Sequence, residues 1–246
     1  MALALKRAHG VFTQHRSNAT VAHLVDPTRG LYAVSDGVKT TGGADTACRL
    51  VIEQMSENLL KVPPESEAVR RWLTNAFRAT CAGVREAGHA THKLRDMSAT
   101  LTMLHTGDEG RWHILHAGDS RAYVLQDGFF RQITKDHNLA FDDYLAGKIS
   151  KETLRTHPRA RILTRSISAA RSFVVPEQEG GPLKSGQLFV LCSAGVARVL
   201  DDDDLEDILI TETEPDVLAE ALVEAAETRG TEEDITVLVV QTAEET

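Results

Sequence analysis

The stretch LCSAGV (191–196) leaves an apolar run through a Ser-Ala-Gly turn. A chemically active site at the end of a buried strand would put an acid at such a turn, yet the middle residue is Ala194. Ser193 and Ser120 lie near turns, but neither is framed by the Gly-x-Ser-x-Gly pattern that raises a serine nucleophile on a strand-to-helix elbow. The 10 histidines are dispersed, with no His-x-x-x-His pair followed by a third ligand, so ordinary surface or core roles are expected of them. Residues 201–204 are all aspartate and could pass for a metal cluster. They directly precede LEDILI, however, and acids at a helix start accept hydrogen bonds from its free amides and complement its dipole, so a cap is expected. Cys48, Cys81 and Cys192 are far apart, lie in apolar contexts and lack Cys-x-x-Cys spacing, which reads as reduced core thiols.

The elements that would position a site come in a definite order. GLYAVSDG (30–37) is a short apolar run closed by Asp-Gly, a buried strand ending in a turn. From Ala44 to Leu60 the apolar residues Ala47, Leu50, Val51, Met55 and Leu59 recur at helical spacing, and from Ser66 to Arg85 so do Val69, Trp72, Leu73, Ala76, Phe77 and Val84. Pro63-Pro64 separates these two amphipathic helices. SATLTMLHT (98–106) and RWHILHAGD (111–119) read as strands joined by a Gly-Asp-Glu-Gly turn, and RAYVLQDGFFRQI (121–133) carries the hairpin signal Asp127-Gly128. After a polar, partly helical excursion from Thr134 to about Ala170, GQLFVLCS (186–193) returns to strand. A helix follows Pro215, and DITVLVVQT (234–242) closes the chain as a buried strand. Antiparallel strands with helices inserted in pairs imply an α+β fold, with helices packed outside two stacked sheets.

Composition bounds the function. A formal charge of −9 opposes nucleic acid and anionic membranes as partners. The N-terminal MALALKRAHGVF has too short an apolar stretch for a signal peptide, and no run approaches the length of a membrane span. With reduced cysteines, this leads to the expectation of a soluble, cytoplasmic protein.

The blocks VSDGV (34–38), MSATLTML (97–104), HAGDSRAYVL (116–125), ITKDHNLAFDDYLAGKIS (133–150), THPRARILTRSIS (156–168), LKSGQLFVLCSAGV (183–196) and EEDITVLVV (232–240) together resemble, in order and spacing, the bacterial metal-dependent type 2C serine/threonine protein phosphatases. The resemblance implies one domain over 1–246: an antiparallel β-sandwich flanked by helices on both faces, with a flap at about 135–168 beside the groove. It also implies two Mn²⁺ or Mg²⁺ ions held by carboxylates, with a bridging water that attacks the phosphorus of a phosphoserine or phosphothreonine.

Carried over residue by residue, the pattern is broken. Asp36 matches the metal-bridging aspartate and Gly37 the residue whose carbonyl is a ligand. Arg16, in RSNATV, matches the arginine that grips the substrate phosphate, with a surface arginine as the plain alternative. The family's two acids after it fall on Thr20 and Val21, and Ala194 stands where a metal aspartate belongs. Glu233 replaces the usual C-terminal aspartate, with Asp234 as a weak extra ligand beside it. Asp119 resembles a third-metal ligand, but with its partner replaced by Ala194 its carboxylate is read rather as an acceptor for the amides of its own turn. Two divalent ions about 4 Å apart repel by roughly 17 kcal/mol at an effective dielectric near 20. Carboxylates offset that repulsion, and too few remain here. The expectation is one weakly held Mn²⁺ or Mg²⁺, or no metal.

The function so implied is a pseudophosphatase that binds a protein partner, phosphorylated or belonging to a kinase pathway, in a regulatory role. The alternative is a weak or atypical Mn/Mg-dependent phosphoserine/phosphothreonine phosphatase. The flap is basic within an acidic chain, and Arg159 and Arg161 are its expected partner-binding residues, with a solvated face as the plain alternative.

Overall fold

Residues 5–15, 19–61, 69–107, 110–211 and 214–244 are described by the computed structural model. The strands are β1 (Leu5–Gln14), β2 (Val21–Asp26), β3 (Leu31–Asp36), β4 (Ser98–Ala99), β5 (Leu101–Thr106), β6 (Arg111–Ala117), β7 (Arg121–Gln126), β8 (Phe129–Gln132), β9 (Ile167–Ser168), β10 (Glu177–Pro182), β11 (Leu188–Cys192) and β12 (Ile235–Glu244). The α-helices are α1 (Ala44–Lys61), α2 (Val69–Ala90), α3 (Leu139–Leu145), α4 (Ala194–Ala197), α5 (Asp202–Leu209) and α6 (Pro215–Thr228).

The central runs are apolar at every position because each strand is covered twice. On β3, Leu31 and Ala33 face α1 and α2, while Tyr32 and Val34 face the second sheet. On β11, Val190 and Cys192 face α4, α5 and α6, while Phe189 and Leu191 point inward. Successive side chains of a strand point to opposite faces, so one run supplies two cores. The sheets are five-stranded, in the orders β1-β12-β11-β7-β8 and β10-β6-β5-β3-β2, and all their pairings are antiparallel. The expected α+β sandwich with helices on both outer faces is therefore observed.

Asp127 and Gly128 turn β7 into β8 with φ of 52° and 77°, the left-handed pair that a two-residue hairpin needs. Two strands carry no pattern from which to read them. β1 pairs with β12 along its whole length, from Leu5↔Glu244 to Gln14↔Ile235, although LKRAHGVFTQ mixes charge with apolar residues. β10, EQEGGP, is an edge strand on β6, and a Cβ at Gly181 would come within 2.8 Å of the Trp112 ring. Glycine is there to let the backbone lie on an indole.

All three cysteines are buried free thiols. The aspartate run caps α5 as expected: Asp201 accepts from the Asp204 amide, and Asp204 returns a carboxylate oxygen to the Asp201 amide. Among the described residues no helix is long and apolar enough to cross a membrane.

Candidate phosphate-facing site

Asp36 ends β3, where the strand stops pairing regularly with β5. The Gly37 amide donates to the Thr20 carbonyl at 2.7 Å, and the Val38 amide to the Ser98 carbonyl at 2.8 Å, so the residues after Asp36 are pinned from both sides. Gly37 also passes against the first residue of α1, and a Cβ there would lie 2.1 Å from the Ala44 carbonyl oxygen. Only glycine permits that approach, which points the Asp36 carboxylate into a cavity of about 200 Å³. Asp119, Glu232, Glu233, Lys39, Arg161 and Arg198 contribute charged groups to the same cavity.

The centre of the carboxylate cluster is a cation from the chain itself. Arg198 Nη2 donates to Asp119 Oδ2 at 2.7 Å, and Arg198 Nη1 donates to both carboxylate oxygens of Glu233. Arg161 reaches Glu233 Oε1 at 3.4 Å from the exposed side. Burial pushes the Asp36 carboxyl well above its usual range; the negative charges of Asp119 and Glu233 add to this, and Arg198 and Lys39 oppose it. Burial likewise raises Asp119 against the pull of Arg198. Burial disfavours the charge on Arg198 too, but Asp119 and Glu233 outweigh it and hold the guanidinium protonated above its ordinary range.

Arg198 is the residue that motif reading misses. Ser193 is the N-cap of α4, so the Ser-Ala-Gly stretch is a helix start rather than a free turn, and Arg198 donates its amide to the Ala194 carbonyl. The chain thus places a cation one helical turn after the missing acid. The signal is present in AGVAR, but the family block ends at Val196.

The other expected site residues fall in different surroundings. Asp234 is not turned to the cavity: its Oδ2 accepts from the Thr20 amide at 2.8 Å and the Thr20 hydroxyl at 2.6 Å, tying the segment before β2 to the start of β12. Thr20 and Val21, in place of acids, are buried and hold the Asp36 strand, Val21 lying directly opposite Asp36. The side chain of Asp119 bonds Arg198 instead of the amides of its own turn. Arg159 pairs with Asp143 inside the 135–168 segment, so it is not a free cation on that surface. Arg16 lies outside the described residues.

The 135–168 segment is fastened at several points. His137 Nδ1 accepts from the Gly118 amide at 3.1 Å, which leaves Nε2 to donate to Glu177 at 3.2 Å. Asn138 caps α3 by accepting from the Phe141 amide at 2.9 Å, and Asp143 also holds Lys148 at 3.1 Å. Lys151 reaches Asp202 at 3.1 Å, and Arg155 reaches Asp201 at 3.5 Å.

A Mn²⁺ or Mg²⁺ pair requires several oxygen ligands free to turn toward the ions. Here Asp119 and Glu233 are given to Arg198, Asp234 to Thr20, and Ala194 has no oxygen to offer. Among the described residues no group of three or more His, Cys, Asp or Glu is arranged to hold a metal ion. The donor set as folded does not fit a two-metal centre.

Comparison with known proteins places the fold. The family model for protein phosphatase 2C matches residues 14–227, and the chain belongs to that family. The serine/threonine phosphatase Stp of Listeria welshimeri is 28% identical over 215 residues, covering 85% of this chain and 82% of the relative. The serine/threonine protein phosphatase PstP of Mycobacterium tuberculosis is 29% identical over 211 residues, with 85% of this chain and 40% of the relative covered. A crystal structure of the catalytic domain of PstP, solved with two manganese ions, superposes with a TM-score of 0.85 at 25% identity, covering 98% of this chain and 100% of that one.

Proposed function

We propose that this chain acts on proteins bearing phosphoserine or phosphothreonine, as a weak or atypical type 2C phosphatase. The observation that carries this reading is its kinship: the relatives across most of its length are named serine/threonine phosphatases, and Asp36, expected as a metal-bridging aspartate, lines the cavity. That kinship favours turnover over the pseudophosphatase expected from the lost ligands. A second reading, binding without hydrolysis, draws on one specific feature, the guanidinium among the carboxylates. In either reading the 135–168 segment is the flap that governs partner access, and Arg161, exposed at the cavity rim, is the basic group best placed to meet a phosphate.

The deciding experiment measures phosphate release from a phosphothreonine peptide with and without millimolar Mn²⁺, alongside binding of the same peptide by fluorescence anisotropy. Slow, metal-stimulated release that is lost in Asp36→Asn supports the phosphatase. Binding with no release at any metal concentration supports the second reading, and neither binding nor release overturns both.

A further inference from the structure

We infer that Arg198 is the resident cation of this site, filling the charge position of a divalent metal and excluding Mn²⁺ and Mg²⁺ for as long as its guanidinium stays between Asp119 and Glu233. The inference goes beyond the proposed function, because it concerns what neutralises the cluster and holds whether or not the chain turns over a phosphoprotein.

Three features carry it. Asp36, Asp119 and Glu233 converge on one cavity, and clustered carboxylates require a counter-charge. Arg198 supplies one from inside the fold: its side chain is only 22% exposed, and it bonds Asp119 through one nitrogen and both oxygens of Glu233 through another. A planar, permanently charged guanidinium is suited to a buried carboxylate pair, whereas a lysine would make a single point contact. Its position is fixed by α4, since the Arg198 amide donates to the Ala194 carbonyl at 3.0 Å. The helical turn that begins with the ligand-less Ala194 is the one that delivers the arginine. A metal entering this site would have to displace a tethered cation whose local concentration never falls.

The test reads metal occupancy rather than turnover. Mn²⁺ binding to the full chain is followed by calorimetry and by the electron paramagnetic resonance signal of free Mn²⁺, with circular dichroism confirming the fold of each variant. Wild type is expected to show no site that saturates below the millimolar range. Arg198→Gln, which removes the charge and leaves the acids, should bind Mn²⁺ at least tenfold more tightly, a change of about 1.4 kcal/mol. Arg198→Lys should stay closer to wild type than to Arg198→Gln. Equal Mn²⁺ affinity in wild type and Arg198→Gln overturns the inference. Should Arg198→Gln not fold, the wild-type chain still decides. The guanidinium protons of Arg198, expected to exchange slowly because they are partly buried and bonded to Asp119 and Glu233 and assigned by their absence in Arg198→Lys or by through-bond correlation in the wild type, should be unmoved by millimolar Mg²⁺. Their loss at micromolar Mg²⁺, or two Mn²⁺ bound at micromolar affinity, refutes it.

Discussion

A carboxylate held in a buried cavity beside two others stands in tension with the fold that contains it. Asp36 accepts no side-chain hydrogen bond among the described residues, and its pKa is raised chiefly by burial. A carboxyl whose folded pKa exceeds its unfolded value favours the native state below the unfolded pKa, and that contribution is lost as pH rises through the folded pKa. At neutral pH Asp36 therefore destabilises the protein, and Asp36→Asn should raise the unfolding free energy by on the order of 1 kcal/mol. The gain should shrink as the pH falls from the raised folded pKa toward the ordinary carboxyl value of the unfolded chain, where wild type increasingly carries the proton in both states. Urea titrations at neutral and acid pH check this, and a variant less stable than wild type at neutral pH would show that Asp36 has a partner the geometry does not reveal. At this scale the sequence told half the story. Asp36 and the vacancy at Ala194 are legible from motifs, because a residue type at a strand end is a local property. The pairing of Arg198 with Asp119 spans 79 positions and has no local signature.

At the scale of elements, the β7–β8 hairpin and the helices α1, α2 and α6 followed from short-range patterns, and the polar edge and the short helix α4 did not. The Asp127-Gly128 turn and the apolar faces of α1 and α2 are written in short-range patterns, whereas β1 and β10 are strands only because β12 and β6 lie ready to pair with them. The junction between β5, β6 and the 135–168 segment is made by His116, which is fully buried with Nδ1 at 2.9 Å from the Thr102 hydroxyl and Nε2 at 3.0 Å from the Lys135 carbonyl. Burial, assisted by the neighbouring His137, lowers its pKa to about 4. The unfolded chain takes up this proton near pH 6.5, so the stability tied to neutral His116 is whole above that value and is lost as pH falls toward 4. The expected loss across this window is roughly 3 kcal/mol. His116→Gln should be less stable at pH 7 but flatter between pH 6.5 and 4, as measured by thermal melts. A variant that keeps the wild-type acid slope would move the responsibility to another group.

For the whole molecule, three apolar layers rather than one make the architecture: helices, sandwich interior, helices. Phe189 lies in the middle layer with its ring 5.7 Å from that of Trp112, bridging the two sheets. Phe189→Ala should cost about 3–5 kcal/mol in a single cooperative transition, and two separate transitions in the wild type would show that the sheets unfold independently. Layer order was readable from the doubly apolar strands, because burial on both faces leaves no polar alternation. The fastenings of the 135–168 segment belong to a different class of force. Lys151 to Asp202, Arg155 to Asp201 and Arg161 to Glu233 are ion pairs with an exposed cation or anion on at least one side. Dissolved salt screens such pairs over about 8 Å at physiological ionic strength and over about 3 Å at 1 M, while apolar layers are indifferent to that screening. Ionic strength should therefore act on the groove selectively: hydrogen exchange across 148–161 should quicken in 1 M NaCl while the core strands keep their protection. Access to the cavity would then be set by the electrolyte around the protein.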